Sequence, residues 1–161
     1  RSTFQAQLEY QAALHGLGIP IAPVRPENYF IGDPKRYKIF RPPAVFLQIP
    51  KTARPGEGAG REWNATRYQE HAIKVIVVLE GTQEEQLTRA GWRVSSAAEA
   101  CLHDQEITPA TNISRSVKIF VTGVAFGTSY QEGKGNPFRK ETTVELLVKH
   151  WDQMTPMAPN A

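Results

Sequence analysis

Apolar residues along this chain switch from strand-like to helical spacing and back again. Residues 73–79 read Ile-Lys-Val-Ile-Val-Val-Leu. They put Ile73, Val75, Val77 and Leu79 on one face, with His71 behind them, and Ala72, Ile76 and Val78 on the other, the pattern of a strand covered on both sides. A polar stretch with Arg67, Gln69 and Glu70 extends this strand back to residue 63 and predicts an arm beyond the core. Gly81 breaks the strand, and Thr82 and Glu85 stand at capping-box spacing. Glu84 and Glu85 suit the positive end of a helix, and Leu87, Gly91, Val94, Ala98 and Cys101 recur at steps of three and four. The spacing therefore predicts a helix from residue 82 towards His103 with one buried stripe. Two further strands follow, over 117–126 and 140–151. In the first, Val117, Ile119 and Val121 alternate with Lys118, Phe120 and Thr122; in the second, Val144, Leu146 and Val148 alternate with Glu145, Leu147 and Lys149. Residues 104–115 form a polar connection containing Pro109, and 131–137 are rich in turn residues.

Upstream, Ser2 can cap a helix carrying Phe4, Leu8 and Ala12, which Gly16, Gly18 and Pro20 bring to an end. Residues 19–43 are dense in proline and aromatic side chains, including Tyr29, Phe30, Tyr37 and Phe40. Linkers are rarely so aromatic, so this segment is expected to be ordered and extended, draped over the domain or a neighbouring subunit. A short strand over 44–49, apolar on both faces and bracketed by Pro43 and Pro50, suits a covered strand or a sheet edge. The loop 51–61 carries Gly56, Gly58 and Gly60 beside Lys51, Arg54 and Arg61. It lacks the Gly-Lys-Ser/Thr ending and the following helix of a phosphate-binding loop, so a basic hairpin loop is the better reading. The expected organisation is a helix over 1–18, an extended segment over 19–43, an α/β core over 44–152 and a tail over 153–161. The expected fold class is α+β: a small mixed or antiparallel sheet of about four strands packed against one or two helices, with extended arms.

With 161 residues the chain suits one domain with a real core. Its net charge of +3 permits contact with nucleic acid or acidic proteins, but Lys and Arg are scattered rather than concentrated. A single cysteine, Cys101, excludes an internal disulfide framework and suits a reducing cytoplasm, and its place on the helical stripe favours packing over reactivity. Because the sequence opens on Arg1, an initiating segment is expected either to have been removed or to lie outside it. No apolar run approaches the roughly 20 residues that span a bilayer, so no membrane partner is expected. The four histidines, His15, His71, His103 and His150, lack His or Cys partners at metal-ligand spacing. Ser95 and Ser96 have no nucleophile elbow around them. These patterns point away from an enzyme and call for no metal and no cofactor.

The order of elements resembles the tail terminator (tail-completion) family of long-tailed bacteriophages. The features that carry the resemblance are the amino-terminal helix, the strand Ala44-Val45-Phe46-Leu47-Gln48-Ile49 after Pro43, and a loop followed by the long strand to Leu79. A helix opening Gly81-Thr82-Gln83-Glu84-Glu85 and a late strand through Val144-Glu145-Leu146-Leu147-Val148 complete it. The resemblance covers about residues 44–151 and is one of topology and texture. It implies a structural virion protein of the tail or neck, assembled in the host cytoplasm, whose ring-shaped homo-oligomer, a hexamer, ends the tail tube and docks to the connector. Tyr29, Phe30, Tyr37, Phe40, Trp63, Arg67 and Tyr68 are the expected interface residues, and Lys51, Arg54 and Arg61 are the expected loop or lumen contacts with passing DNA. A head–tail connector or minor tail protein shares these features. A nucleic-acid-binding α/β module is the alternative of another class, with the aromatic and basic residues of 29–41 as its platform.

Overall fold

The computed structural model describes residues 24–37, 39–53, 66–107 and 117–153, together with Ala6. The expected helix over 1–18, most of the loop 51–61, Trp63 and the tail from residue 154 lie outside the described residues. The strands are β1 (Tyr29–Ile31), β2 (Ala44–Ala53), β3 (Thr66–Gly81), β4 (Gln105–Ile107), β5 (Val117–Phe126), β6 (Tyr130–Gln131) and β7 (Phe138–Gln153), and one helix, α1 (Glu84–Leu102), follows β3. They form a seven-stranded sheet in the order β1-β2-β3-β7-β5-β4, with β6 paired to β7 at one end. Only β1 and β2 run parallel; the other pairings are antiparallel. The sheet is therefore mixed, as expected, but has more than the four strands foreseen. The additional ones, β1, β4 and β6, are two or three residues long. Strands that short carry no readable alternation and form because a neighbouring strand offers its edge.

The spine of the sheet is the β3–β7 pair, sixteen residues on each strand, in unbroken register from Thr66↔Gln153 to Gly81↔Phe138. At about 3.4 Å per residue this ribbon is roughly 50 Å long. β2 accompanies β3 only as far as Ala53↔Glu70, and β5 begins at Val117↔His150. Among the described residues, Thr66, Arg67 and Tyr68 extend past β2 and β5, paired with Gln153, Asp152 and Trp151, so the described part of the arm is a two-stranded ribbon.

The alternation read in β3 is realised on both faces. Val75, Val77 and Leu79 join Val45, Val144, Leu146 and Ile119 beneath Leu87, Val94, Ala97 and Ala98 of α1. Ile76 and Val78 join Ala44 and Phe46 on the opposite face, beneath Phe30, Tyr37 and Phe40. The helix begins later than its sequence suggests. Gly81 remains in β3, paired with Phe138, so Thr82 is taken up in the turn and Gln83 becomes the residue before the helix, with no side-chain cap. The expected Thr82–Glu85 capping box does not form. Glu84 and Glu85 still occupy the first turn, where the positive end of the helix favours them.

The 24–43 segment is fastened to its own domain. Buried Asn28 donates from Nδ2 to the carbonyl of Arg41 at 2.6 Å and of Pro43 at 3.1 Å, tying the two ends of the segment together. Asn28→Ala leaves these acceptors without that donor and is expected to destabilise the fold by about 1–3 kcal/mol. Equilibrium denaturation checks this, and an unchanged midpoint would contradict the tie.

Candidate assembly interface

Four of the residues expected at an interface lie on the 24–43 segment, and their positions follow from strand alternation in β1. Phe30 points to the face opposite α1 and stacks on Phe46 with ring centres 4.8 Å apart and planes at 19°. Tyr37 lies 4.8 Å from Phe30, and Phe40 meets Phe46 edge-on at 5.0 Å. The Tyr37 hydroxyl donates to the Ile31 carbonyl at 2.6 Å. Tyr29 packs on the other face, against the core beneath α1. The structure brings Phe30, Tyr37 and Phe40 together and separates Tyr29 from them. These rings anchor the segment to the sheet, and Phe30, Tyr37 and Phe40 keep partial exposure on their outer sides. Lys51 lies on β2 opposite Ala72, and Arg67 and Tyr68 lie on the arm. Arg54, Arg61 and Trp63 lie outside the described residues.

A pocket of about 390 Å³ opens between this segment and the β6–β7 turn, lined by Lys35, Tyr37, Phe40, Tyr130, Arg139 and Glu141 among others. Arg139 dominates its electrostatics. Its Nε donates to Glu80 Oε2 at 3.0 Å, its Nη1 to Glu132 Oε1 at 2.6 Å, and its guanidinium lies 5.6 Å from the Phe40 ring centre. Burial works against the charge, but the hydrogen bond to Glu80 and the nearby Glu132 and Glu80 carboxylates outweigh it and hold the guanidinium above its ordinary pKa. Burial, followed by the charge of Glu141, pushes the Tyr130 hydroxyl up as well. This arrangement locks the turn to the sheet.

The remainder of this face carries cross-strand charge pairs set by the β3–β7 register. Lys74 meets Glu145 at 3.1 Å, Lys149 stands 3.9 Å from Glu70, and the Lys149 ammonium lies 5.5 Å from the Phe120 ring centre. Such half-exposed pairs contribute at most about 1 kcal/mol each to stability. They do place these cations beside carboxylates, which lowers the field they offer to a phosphate backbone.

Among the described residues, no group of three or more His, Cys, Asp or Glu side chains is placed to hold a metal ion. None of their helices is long and apolar enough to cross a membrane. Burial pushes the Cys101 thiol above its usual pKa, leaving little thiolate. His103 accepts a hydrogen bond on Nδ1 from the Val121 backbone N–H at 3.2 Å.

Sequence reasoning missed the exposed apolar side chains at the two lateral edges of the sheet. Ile31 and Ile49 stand at the β1–β2 edge, and Phe126 and Trp92 stand at the β5 side, with Trp92 meeting Phe126 edge-on at 6.5 Å. A signal existed for Trp92, which lies one position off the buried stripe of α1. Phe126 gave none, because a strand's exposed end is decided by where its neighbours stop.

No protein-family model matches the chain, and no curated protein matches it. Among solved structures it is similar to a chain in one titled "Virion of native gene transfer agent (GTA) particle". The identity is 12%, the TM-score is 0.36 and the match covers 92% of both chains. At that score the likeness establishes neither fold nor role.

Proposed function

We propose that this chain is a non-catalytic structural subunit of a phage-like virion. In this reading it stands at the head–tail neck or tail end, where a ring of copies ends the tail tube and docks to the connector. The observation that carries the reading is the distribution of unspent surface. The aromatic, ionic and hydrogen-bonding groups described above are largely engaged within the chain, whereas both lateral edges of the sheet offer apolar side chains. A repeating subunit needs two such edges, whereas a catalyst needs converging polar groups. The β3–β7 ribbon supplies the arm with which such subunits reach their neighbours, with Arg67 and Tyr68 on it. The partners in this reading are further copies of the chain and other tail or neck proteins, in a virion assembled in the host cytoplasm. In this reading Lys51, Arg54 and Arg61 contact passing DNA without reading its sequence.

Electron microscopy of the purified protein tests the reading. Rings with a central opening are expected. Particles the size of one chain, together with tight DNA binding that falls steeply with salt, would instead favour the nucleic-acid-binding module.

A further inference from the structure

We propose that the cavity between the 24–43 segment and the β6–β7 turn is a docking site for an arginine side chain presented by a partner protein. The site goes beyond the subunit reading and does not depend on it.

Strand register brings its walls together. Tyr130 stands opposite Arg139 in the β6–β7 pair, and Arg139 stands opposite Glu80 in the β3–β7 pair. Glu141 lies two residues beyond Arg139 on β7 and so shares its face of the sheet, the one opposite α1. Tyr37 and Phe40 reach the same face from the other side, seated on Phe46 at 5.5 Å and 5.0 Å between ring centres. The cavity left between them is about 390 Å³, room for one long side chain and small among ligand sites.

The charges around it do not cancel. Arg139 is answered twice, by Glu80 at 3.0 Å and by Glu132 at 2.6 Å. Glu141 is half-buried, and among the described residues its carboxylate has neither a hydrogen-bond donor nor a cation within salt-bridge distance. Its charge is felt by the Tyr130 hydroxyl, which burial and then Glu141 push above its ordinary pKa. The remaining cation of the lining, Lys35, is exposed and can turn its ammonium to water. With Glu80 included, three carboxylates (Glu80, Glu132 and Glu141) stand against two cations (Arg139 and Lys35). An anion therefore meets repulsion here. A cation meets a free carboxylate among the rings of Tyr37, Phe40 and Tyr130, whose faces attract positive charge.

A guanidinium suits the site better than an ammonium. It is planar, so it can lie against a ring while offering two N–H groups side by side to the Glu141 oxygens. The fold already applies this chemistry to one of its own residues. The Arg139 guanidinium sits 5.6 Å from the Phe40 ring centre while bonded to two carboxylates. The walls are also fixed in advance. The Tyr37 hydroxyl donates to the Ile31 carbonyl at 2.6 Å, Gln131 Nε2 to the Asn136 carbonyl at 2.5 Å, and the Gly127 N–H to the Glu141 carbonyl at 2.9 Å. A preformed pocket loses little binding free energy to ordering, and arginine seated in such a pocket is a usual anchor of protein interfaces.

Titration of the full chain with the capped tripeptide acetyl-Gly-Arg-Gly-amide tests this, followed by NMR at the Tyr37, Phe40 and Tyr130 ring protons. Saturable shifts of these rings are expected at about millimolar peptide. Glu141→Gln is expected to weaken binding about tenfold with an unchanged melting profile, because the carboxylate has no partner within the chain to lose. Tyr130→Leu is expected to weaken it about threefold. The control peptide acetyl-Gly-Glu-Gly-amide should leave the rings unmoved. If Glu141→Gln melts early, salt decides the matter, since arginine binding by the unaltered chain should weaken severalfold between about 20 mM and about 200 mM salt. No saturable shift with the arginine peptide, equal binding by a folded Glu141→Gln, binding indifferent to salt, or tighter binding of the glutamate peptide overturns the site. Each of these results leaves the subunit reading standing.

Discussion

Phe46→Ala is expected to lower the unfolding free energy by about 3–5 kcal/mol, the largest effect of any single truncation among the described residues. Phe46 is fully buried on the face opposite α1. Its ring meets Phe30 at 4.8 Å, Phe40 at 5.0 Å and Tyr37 at 5.5 Å, so it is the point where the 24–43 segment grips the sheet. Truncation removes the buried area and leaves a cavity that Ala44, Ile76 and Val78 cannot fill without shifting the strands. The loss should be visible as a lower denaturant midpoint. Near-ultraviolet circular dichroism should weaken too, as Phe30, Tyr37 and Phe40 lose their fixed packing. A cost under about 1 kcal/mol would show that the segment is held by something other than this cluster.

Gly91→Leu is expected to cost about 3 kcal/mol or more, at the upper end of what overpacking does. α1 comes so close to β7 at this point that a Cβ on residue 91 would stand 2.8 Å from Thr142 Oγ1 and 3.7 Å from Phe126 Cδ1. Thr142 is fully buried, so its hydroxyl has nowhere to retreat. Gly91→Ala sets two effects against each other. Helix propensity favours alanine by about 1 kcal/mol, and the close approach opposes it by about 1–3 kcal/mol. The second wins in the unaltered background. The sign should reverse once Thr142→Ala removes the obstructing atom. That hydroxyl has no hydrogen-bond partner, so its own removal forfeits little. A double-mutant cycle in chemical denaturation measures the reversal, and additive effects would contradict the contact.

The sequence made the long elements legible because burial writes their periods directly. Val75, Val77 and Leu79 alternate with Ile76 and Val78 since both faces of β3 are covered, and Leu87, Val94 and Ala98 recur because one side of α1 is. The short strand read from Ala44 as either covered on both sides or at a sheet edge is a related case, with Val45 and Leu47 beneath the helix and Phe46 beneath the aromatic rings. Tertiary pairing supplied what could not be read. Gln105-Glu106-Ile107 is a strand because β5 has room beside Ile119, and Thr82 fails as a cap because Gly81 stays paired to Phe138. The aromatic segment reads in the sequence as extended, whereas its described part makes two short 3-10 turns, Pro26–Asn28 and Pro34–Arg36, around β1, and its landing place on Phe46 was not legible. Phe126 and Ile49 stayed hidden for a similar reason, since a strand's bare end depends on where its neighbours stop.

The most direct measurement of the central claim is the solution mass of the purified chain across a wide range of concentration. A subunit built to be repeated should hold a fixed multiple of its 18.0 kDa through dilution, six copies if it closes as the resemblance implies. A species of 18.0 kDa at every concentration would contradict the account.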